Sequence, residues 1–337
     1  MDDGMRAWSV AVPGPIDSHP LVLADRPVPR PGPGEVLVKV RACGLCRTDL
    51  HLSEGDLLPK RPGVVPGHQV VGEVVGLGDR ASRFDVGDRI GVAWLRHTCG
   101  VCRFCRSGRE NLCRRSEYTG WDADGGLAEY CVAPEAYAYR IPDALDDVHA
   151  APLLCAGIIG YRSLRRADLP PGGRLGLYGF GSSAHLVAQL ALAEGAELSV
   201  MTRGEGNRAL ARELGATFVG GAEERPPELL DSAIIFAPAG ELVPVGLRTL
   251  APGGTLVLAG IHMSQIPAMD YADCLFDERQ VRSVTANTRQ DGEELLLLAG
   301  RLGLEPRVTT CDLSGAGEAL ADIAAGRTSG SSVVTMP

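Results

Sequence analysis

Apolar and polar residues alternate along residues 5–12 and again along 35–42 (Glu-Val-Leu-Val-Lys-Val-Arg-Ala). A period of two marks a half-buried β-strand, with one face on a core and the other on solvent. Between the two runs lies Arg26-Pro-Val-Pro-Arg-Pro-Gly-Pro-Gly34, which cannot be helical and reads as a stiff connecting loop. Further strands are predicted at Val70–Val75, Arg89–Ala93 and Ala128–Val132, with turn punctuation such as Val86-Gly87-Asp88. Short strands at this spacing predict a barrel-like β domain over roughly the first 150 residues.

The pattern changes near residue 156. A short apolar strand, Arg174–Tyr178, runs directly into Gly179-Phe-Gly181-Ser182-Ser183-Ala184. Helical periodicity follows over Ala184–Glu194, then a strand at Glu197–Met201 and a helix at Asn207–Leu214. Strands are predicted again at Ser232–Ala237, Thr255–Gly260 and Gln280–Thr285. Alternating strand and helix of this kind predicts a parallel sheet covered by helices. After residue 287 there remain one amphipathic helix, Glu293–Leu302, and a short strand near Ser332–Thr335. That is too little for a third domain, so this segment is expected to return and complete the first one.

Composition narrows the function classes. Of 337 residues 45% are hydrophobic and 22% charged, the balance of an ordinary globular protein. A formal net charge of −9 with no run of basic residues argues against a nucleic-acid surface. The acidic Met1-Asp2-Asp3-Gly4 start is unlike a signal peptide, and no apolar run is long enough to span a membrane. A cytoplasmic protein is expected. Its ten cysteines then read as metal ligands and thiols, not as disulfides.

Two stretches carry candidate metal chemistry. Cys43-Gly-Leu-Cys46-Arg47-Thr48-Asp49-Leu50-His51 sets a thiol, a hydroxyl, a carboxylate and an imidazole close together, and Pro66-Gly67-His68-Gln69 adds a second imidazole. Cysteine and histidine are zinc's preferred ligands, and a catalytic zinc takes three of them and keeps one position open. Alone, the pair and the histidine read equally well as core filling. The second stretch is Cys99-Gly-Val-Cys102-Arg-Phe-Cys105 followed by Cys113. Thiolates this dense repel one another unless a soft cation holds them, and four sulfurs close a tetrahedral zinc site. An iron–sulfur cluster competes, and the absence of a ferredoxin-type run favours zinc.

The glycine turn at Gly179 and Gly181 lies between a strand and a helix, where Gly-x-Gly-x-x-Ala reads as a dinucleotide fingerprint. Gly179, Gly181, Ser182 and Ser183 would bring backbone against a pyrophosphate at the helix N-terminus. The second strand ends in Met201-Thr202-Arg203-Gly204. An NAD site commonly presents a carboxylate there; a hydroxyl and a guanidinium suit a 2′-phosphate, so NADP(H) is favoured over NAD(H).

Together these residues make the whole chain resemble the zinc-dependent alcohol dehydrogenases of the medium-chain dehydrogenase/reductase superfamily. The motifs are Cys46-Arg-Thr-Asp-x-His51, Pro-Gly-His68, the four-cysteine loop, Pro152-Leu-Leu-Cys155-Ala-Gly and the glycine turn. The resemblance implies an α/β fold: a GroES-like, β-barrel-type catalytic domain (1–155 and 288–337) and a doubly wound Rossmann domain (156–287). It implies Cys46, His68 and Cys155 as catalytic zinc ligands, with no metal role for Cys43, and Cys99, Cys102, Cys105 and Cys113 as structural zinc ligands. Asp49 and Gln69 would stand behind the ligands, Thr48 and His51 would form the proton relay, and Arg47 would lie near the cofactor pyrophosphate. Two features depart from the family. Gln69 replaces a common glutamate, and the tail Gly330-Ser331-Ser332-Val333 lacks an arginine many relatives carry.

The implied activity is hydride transfer between an alcohol, or its aldehyde or ketone, and a nicotinamide cofactor, with two zinc ions per chain. A specialised NADPH-dependent biosynthetic aldehyde reductase would look the same at this level. A zinc-independent quinone or enoyl reductase conflicts with the ligand set, and a non-catalytic zinc- and nucleotide-binding protein conflicts with the retained Thr48 and His51. Trp94, Tyr118 and Trp121 flank the metal-rich stretches and read equally well as pocket lining or as core or lid packing, and the resemblance implies that residues around Leu275 and Phe276 can also reach the pocket. Family analogy suggests a dimer or tetramer, with Gln280–Thr285 pairing across a two-fold axis.

Overall fold

The computed structural model describes residues 4–336. They divide into two units: one runs to Cys155 and resumes at Ala286, and the other spans Ala156–Thr285.

In the first unit the alternating run at 35–42 belongs to a longer strand, Glu35–Leu45. Gln69–Leu77 pairs along it, Tyr130–Pro134 beside its first residues and Ser331–Thr335 beside its last. Register breaks after Leu37 and after Val40 bend the strand and increase its twist. The sheet therefore curls around Val36, Val38, Val40, Val70, Val74, Ile90 and Val92. It extends through Arg89–Val92 to Ala138–Arg140 on one side and to Val308–Asp312 on the other. Val308–Asp312 and Ser331–Thr335 are parallel, which requires a crossover; the helix Ala316–Ala324 supplies it. The strand predicted at 128–132 starts two residues later, at Tyr130. Residues 127–129 instead bond to the first strand, Gly4–Val10, through Trp8 N to Leu127 O and Glu129 N to Arg6 O.

A second core of the same unit holds the functional stretches. The helix Arg47–Glu54 places Leu50 and Leu52 among Met5, Val10, Val64, Val65, Leu127 and Leu320. Each such leucine contributes roughly 1.5–3 kcal/mol by leaving water. Val64 and Val65 also lead directly into Pro66-Gly67-His68. Helix and turn are thus fixed in one core, which sets the spacing between Cys46 and His68.

The second unit is a six-stranded parallel sheet. Its order is Phe218–Gly220, Glu197–Met201, Arg174–Tyr178, Leu230–Ile235, Leu250–Leu258, Gln280–Ser283. Leu175, Leu177, Tyr178, Ile234, Ile235, Leu256 and Val257 are all buried, as expected of strands covered on both faces. The order reverses between Arg174–Tyr178 and Leu230–Ile235, the switch point at which nucleotides bind in such sheets.

Candidate active site

Cys46 closes the N-terminus of the helix Arg47–Glu54. Its extended backbone (φ −145°, ψ −179°) lets Sγ accept from Thr48 N at 3.3 Å, while its own N–H donates to Asp49 Oδ2 at 3.0 Å. This is a capping box with a thiol in the usual hydroxyl position. The other Asp49 oxygen accepts from Gly67 N at 2.9 Å and lies 3.3 Å from His68 Nδ1, an ion-pair distance that falls short of hydrogen-bond geometry for that nitrogen. One buried carboxylate thus joins the ligand helix to the ligand turn and faces the far side of the imidazole. Gly67 is required for the turn. Its φ is +96°, and a Cβ there would lie 2.6 Å from Leu127 N and 2.8 Å from Cys43 Sγ. Cys43 packs beneath the turn and does not join the ligand cluster.

Cys155 comes from a π-turn, Leu153–Gly157, that follows the helix Asp147–Pro152. Leu153 and Leu154 are fully buried, with Leu154 pressed against Gly91. The extra residue of a π-turn re-aims a side chain, and such turns recur at functional sites. His68 Nε2 then lies 3.4 Å from Cys46 Sγ and 3.3 Å from Cys155 Sγ. Tetrahedral zinc bonds of about 2.3 Å to sulfur and 2.0 Å to nitrogen would put such atoms about 3.5 Å apart, so the donor set fits one ion.

The side chains already sort their protons. The hydrogen bond from Cys155 and the charge of His68 pull the Cys46 thiol below its usual range against the opposing effect of burial. The same Cys46 contact, with burial, pushes Cys155 up. Burial disfavours the His68 imidazolium, but Asp49 and the Cys46 thiolate lift it to about 10. Concentrated negative charge of this kind suits a bound cation.

Cys99, Cys102, Cys105 and Cys113 also converge, with every sulfur within 4.8 Å of the others. Cys99 and Cys105 are 3.9 Å apart, and Cys102 and Cys105 are 3.5 Å apart. Two sulfurs on one tetrahedral zinc stand about 3.8 Å apart. The cage suits a single ion, and a multi-iron cluster would have to separate the thiols further. Backbone N–H groups of Cys102 and Arg115 donate to Cys99 Sγ and Cys113 Sγ, each at 3.4 Å.

Thr48 and His51 lie three residues apart on the ligand helix, hence on one face. His51 Nδ1 is 2.9 Å from Asp56 Oδ2. Sequence reasoning missed Asp56. The signal was Gly55, whose left-handed cap (φ +94°) ends the helix and turns the next residue back. Arg47 is exposed at the first helical position, and Gln69 is buried against Gly44 with no partner for Nε2 among the described residues.

Beside His68 stand the three aromatic candidates. Trp94 meets the imidazole edge-on at 5.0 Å and stacks with Tyr118 at 4.8 Å and Trp121 at 6.0 Å. Trp121 is held by its Nε1–H to Leu58 O at 2.8 Å and by Lys60 Nζ 4.0 Å from its ring centroid. Leu275 and Phe276 belong to the second unit, Leu275 packed on its core and Phe276 exposed.

In the second unit Gly179 (φ +86°) donates to Met201 O at 2.8 Å, and Gly181 starts the helix Ser182–Ala193. A Cβ on Gly179 would lie 3.1 Å from Ala237 N, whereas one on Gly181 would meet nothing within 4 Å. Gly179 therefore serves the turn, and Gly181 leaves room beside it. Ser182 and Ser183 form the first helical turn. Thr202 is buried and Arg203 exposed. A second guanidinium, unforeseen from the sequence, stands beside them: Arg208 Nε donates to Thr202 O at 2.9 Å. Helical spacing from Gly204 was the available signal, since the helix Glu205–Glu213 turns Arg208 back to the strand end.

Two family profiles match the chain: the alcohol dehydrogenase GroES-like domain over residues 32–143 and the zinc-binding dehydrogenase over 184–300. A Mycobacterium tuberculosis (strain CDC 1551 / Oshkosh) protein named as a probable alcohol dehydrogenase, AdhA, is 55% identical over 335 residues, 98% of this chain and 97% of that one. Among solved structures, a Sinorhizobium meliloti 1021 protein named as a putative zinc-binding dehydrogenase, bound to NADP, superposes with a TM-score of 0.86. It is 29% identical over 98% of this chain and 99% of that one. Acetophenone reductase of Geotrichum candidum NBRC 4597 in complex with NAD superposes with a TM-score of 0.88, at 26% identity over 99% and 98% of the two chains.

Proposed function

The chain belongs to the zinc-binding alcohol dehydrogenases, and we propose that Cys46, His68 and Cys155 form its catalytic metal site. The reaction is reversible hydride transfer between an alcohol and a nicotinamide cofactor. The convergence of two sulfurs and one imidazole nitrogen beside Thr48 and His51 carries this reading. A zinc ion held there supplies Lewis acidity, lowering the pKa of an alcohol or polarising a carbonyl.

The chain's own residues do the rest. Asp49 faces His68 Nδ1 and keeps Nε2 turned toward the two sulfurs. Thr48, two residues past Cys46, takes the alcohol proton. His51, on the same helix face, receives it and passes it to solvent; Asp56 keeps the other ring nitrogen protonated, so that Nε2 is the accepting one. Trp94, Tyr118 and Trp121 make an apolar, aromatic wall beside His68. Such a wall favours alcohols and aldehydes with an apolar or aromatic group.

The cysteine quartet holds the second, structural zinc, and Arg203 with Arg208 favours NADP(H). No helix among the described residues is long and apolar enough to cross a membrane. A cytoplasmic enzyme is the reading that keeps ten free thiols reduced. The exposed edge strand Gln280–Ser283 supports a homo-oligomer.

Metal content per chain, measured together with NADPH- and NADH-dependent reduction of an aldehyde panel, tests the whole reading. Two zinc ions and turnover are expected, with aromatic aldehydes among the better substrates. A single zinc without turnover would leave a metal-stapled nucleotide-binding protein and overturn the mechanism.

A further inference from the structure

Of the chain's 33 lysines and arginines only two, Lys39 and Lys60, are lysine, so a reagent for side-chain amines finds two targets. Lys60 lies in the loop that leaves the ligand helix at Gly55 and runs to Gly63, bracketed by Pro59 and Pro62. Each proline fixes its own φ, which stiffens this part of the loop. Arg61 pairs with Asp124, and the same carboxylate accepts from Val65 N at 2.9 Å. The loop is thereby held where it rejoins the core.

The Lys60 ammonium meets the aromatic wall at two points. Nζ donates to Asp122 Oδ1 at 2.6 Å and sits over the Trp121 ring, 4.0 Å from its centroid. Asp122 is bound in turn to Tyr118. Its other oxygen accepts from Tyr118 N at 2.9 Å, and its own N–H donates to Tyr118 O at 2.9 Å. Trp121 Nε1–H bonds to Leu58 O, two residues before Lys60. The indole is therefore fixed at its edge by the loop's backbone and on its face by the ammonium. The ring quadrupole attracts a cation placed there, and Asp122, with only 15% of its side chain exposed, keeps the ammonium in place. The relay end of the loop does not depend on Lys60. The N–H groups of Gly55 and Leu57 both donate to His51 O at 3.0 Å, which ties Asp56 to the ligand helix.

We propose that Lys60 is a positioning residue of the substrate pocket: it sets the tilt of Trp121 in the aromatic wall and so the preference for aromatic over small aliphatic substrates. This rests on the reading of Trp94, Tyr118 and Trp121 as pocket lining. An indole held at a fixed angle offers an aromatic substrate a preformed stacking surface, whereas a ring that must be ordered on binding weakens that substrate's affinity. A two-carbon aldehyde is too small to use the ring. Loss of the ammonium should therefore act on KM for aromatic substrates and leave the proton relay in place.

The test compares reduction of benzaldehyde and acetaldehyde by the zinc-loaded parent chain, Lys60→Met, Lys60→Arg and Trp121→Ala at saturating cofactor. In Lys60→Met the KM for benzaldehyde should rise about fivefold, with its kcat and the acetaldehyde KM moving by less than about twofold. Lys60→Arg, which can still stack on the ring and reach Asp122, should recover most of the loss. If Trp121→Ala raises the benzaldehyde KM and Lys60→Met does not, the proposal fails while the wall stands. If Trp121→Ala leaves it unchanged as well, the wall is not pocket lining, and both readings fall. Equal rises for the two aldehydes would assign Lys60 to general stability and overturn its positioning role. The parent chain supplies a control for a variant that fails to fold. Acetylation by an N-hydroxysuccinimide ester reaches Lys39, Lys60 and the N-terminal amine, and mass spectrometry follows each. Modification of Lys60 should bring the same selective rise, and an acetylated Lys60 with an unaltered benzaldehyde KM sinks the proposal.

Discussion

In the proton relay proposed for Thr48 and His51, Asp56 is the residue that sets which ring nitrogen of His51 accepts. His51 cannot receive a proton on Nε2 unless Nδ1 already carries one, and Asp56 Oδ2 at 2.9 Å is the group that keeps it there. Asp56→Asn should therefore lower the turnover of alcohol oxidation by roughly tenfold with little change in KM, an effect of the size found for groups behind an acting histidine. Comparing turnover across pH 6 to pH 9 checks it, and a variant with unaltered turnover would remove Asp56 from the relay. The cofactor pocket makes a similar demand of Arg208. Its Nε is spent on Thr202 O, which leaves the outer nitrogens free to act beside Arg203. Arg203→Ala/Arg208→Ala should lose about tenfold or more of the NADPH-over-NADH preference, since each bond to a charged group is worth about 1.5–3 kcal/mol. An unchanged ratio of kcat/KM values would mean that neither arginine reads the phosphate. The cysteine quartet was a legible metal candidate because its four thiols stand so close in sequence, whereas Cys155 has no distinctive spacing and joined Cys46 and His68 only through the family resemblance. Asp56 and Arg208 were not legible, because an aspartate after a glycine and an arginine in a helix are ordinary until the chain turns them toward a partner.

At the scale of elements, the pair Arg289–Glu110 ties the segment carrying the cysteine quartet to the helix Arg289–Leu302. Arg289, at the start of the helix Arg289–Leu302, donates its backbone N–H to Glu110 Oε1 at 2.8 Å as well as its guanidinium, which lies 4.7 Å from the Tyr137 ring centroid. Burial works against the charge of Glu110, yet the Arg289 bonds outweigh it and hold the carboxylate below its ordinary range. The sign of the pH effect follows. A folded pKa below the unfolded value of about 4.3 means that the pair's stabilisation is complete above that pH. It is lost as pH falls through the folded value. Glu110→Gln should cost about 2 kcal/mol at neutral pH, and the gap from the parent chain should shrink under acid. Urea midpoints at pH 7 and pH 3.5 decide this, and a gap that stays constant would assign the loss to packing. The helix itself was readable from its periodicity over Glu293–Leu302. Its true start lies four residues earlier, at Arg289, because Thr288 and Asp291 form a capping box in a stretch without apolar rhythm. The π-turn at Leu153–Gly157 was invisible for a related reason: nothing in Leu-Leu-Cys-Ala-Gly separates a π-turn from an α-turn.

For the whole molecule, the change from strand spacing to strand–helix alternation near residue 156 marked the architecture, because each type of sheet imposes its own period on the chain. Partners that close a sheet over long sequence distance left no such trace. The pairing of Val333 with Gly44 and of Cys311 with Val334 depends on where the sheet's edge falls, which no local window contains. One edge of the six-stranded sheet has consequences for assembly. Gln280–Ser283 ends the six-stranded sheet, with no strand beyond it among the described residues, and Val281, Tyr271, Phe276 and Ile266 on and near it are exposed. An unprotected edge next to exposed aromatic side chains is a template for pairing with another chain. A second copy meeting it about a two-fold axis would continue the sheet and cover those rings. Val281→Asp places a carboxylate next to its own symmetry mate in that pairing, where like charges repel. Light scattering should then record a mass reduced by at least half relative to the parent chain, with metal content unchanged. A parent chain that is already monomeric, or a variant of undiminished mass, would show that assembly does not use this edge.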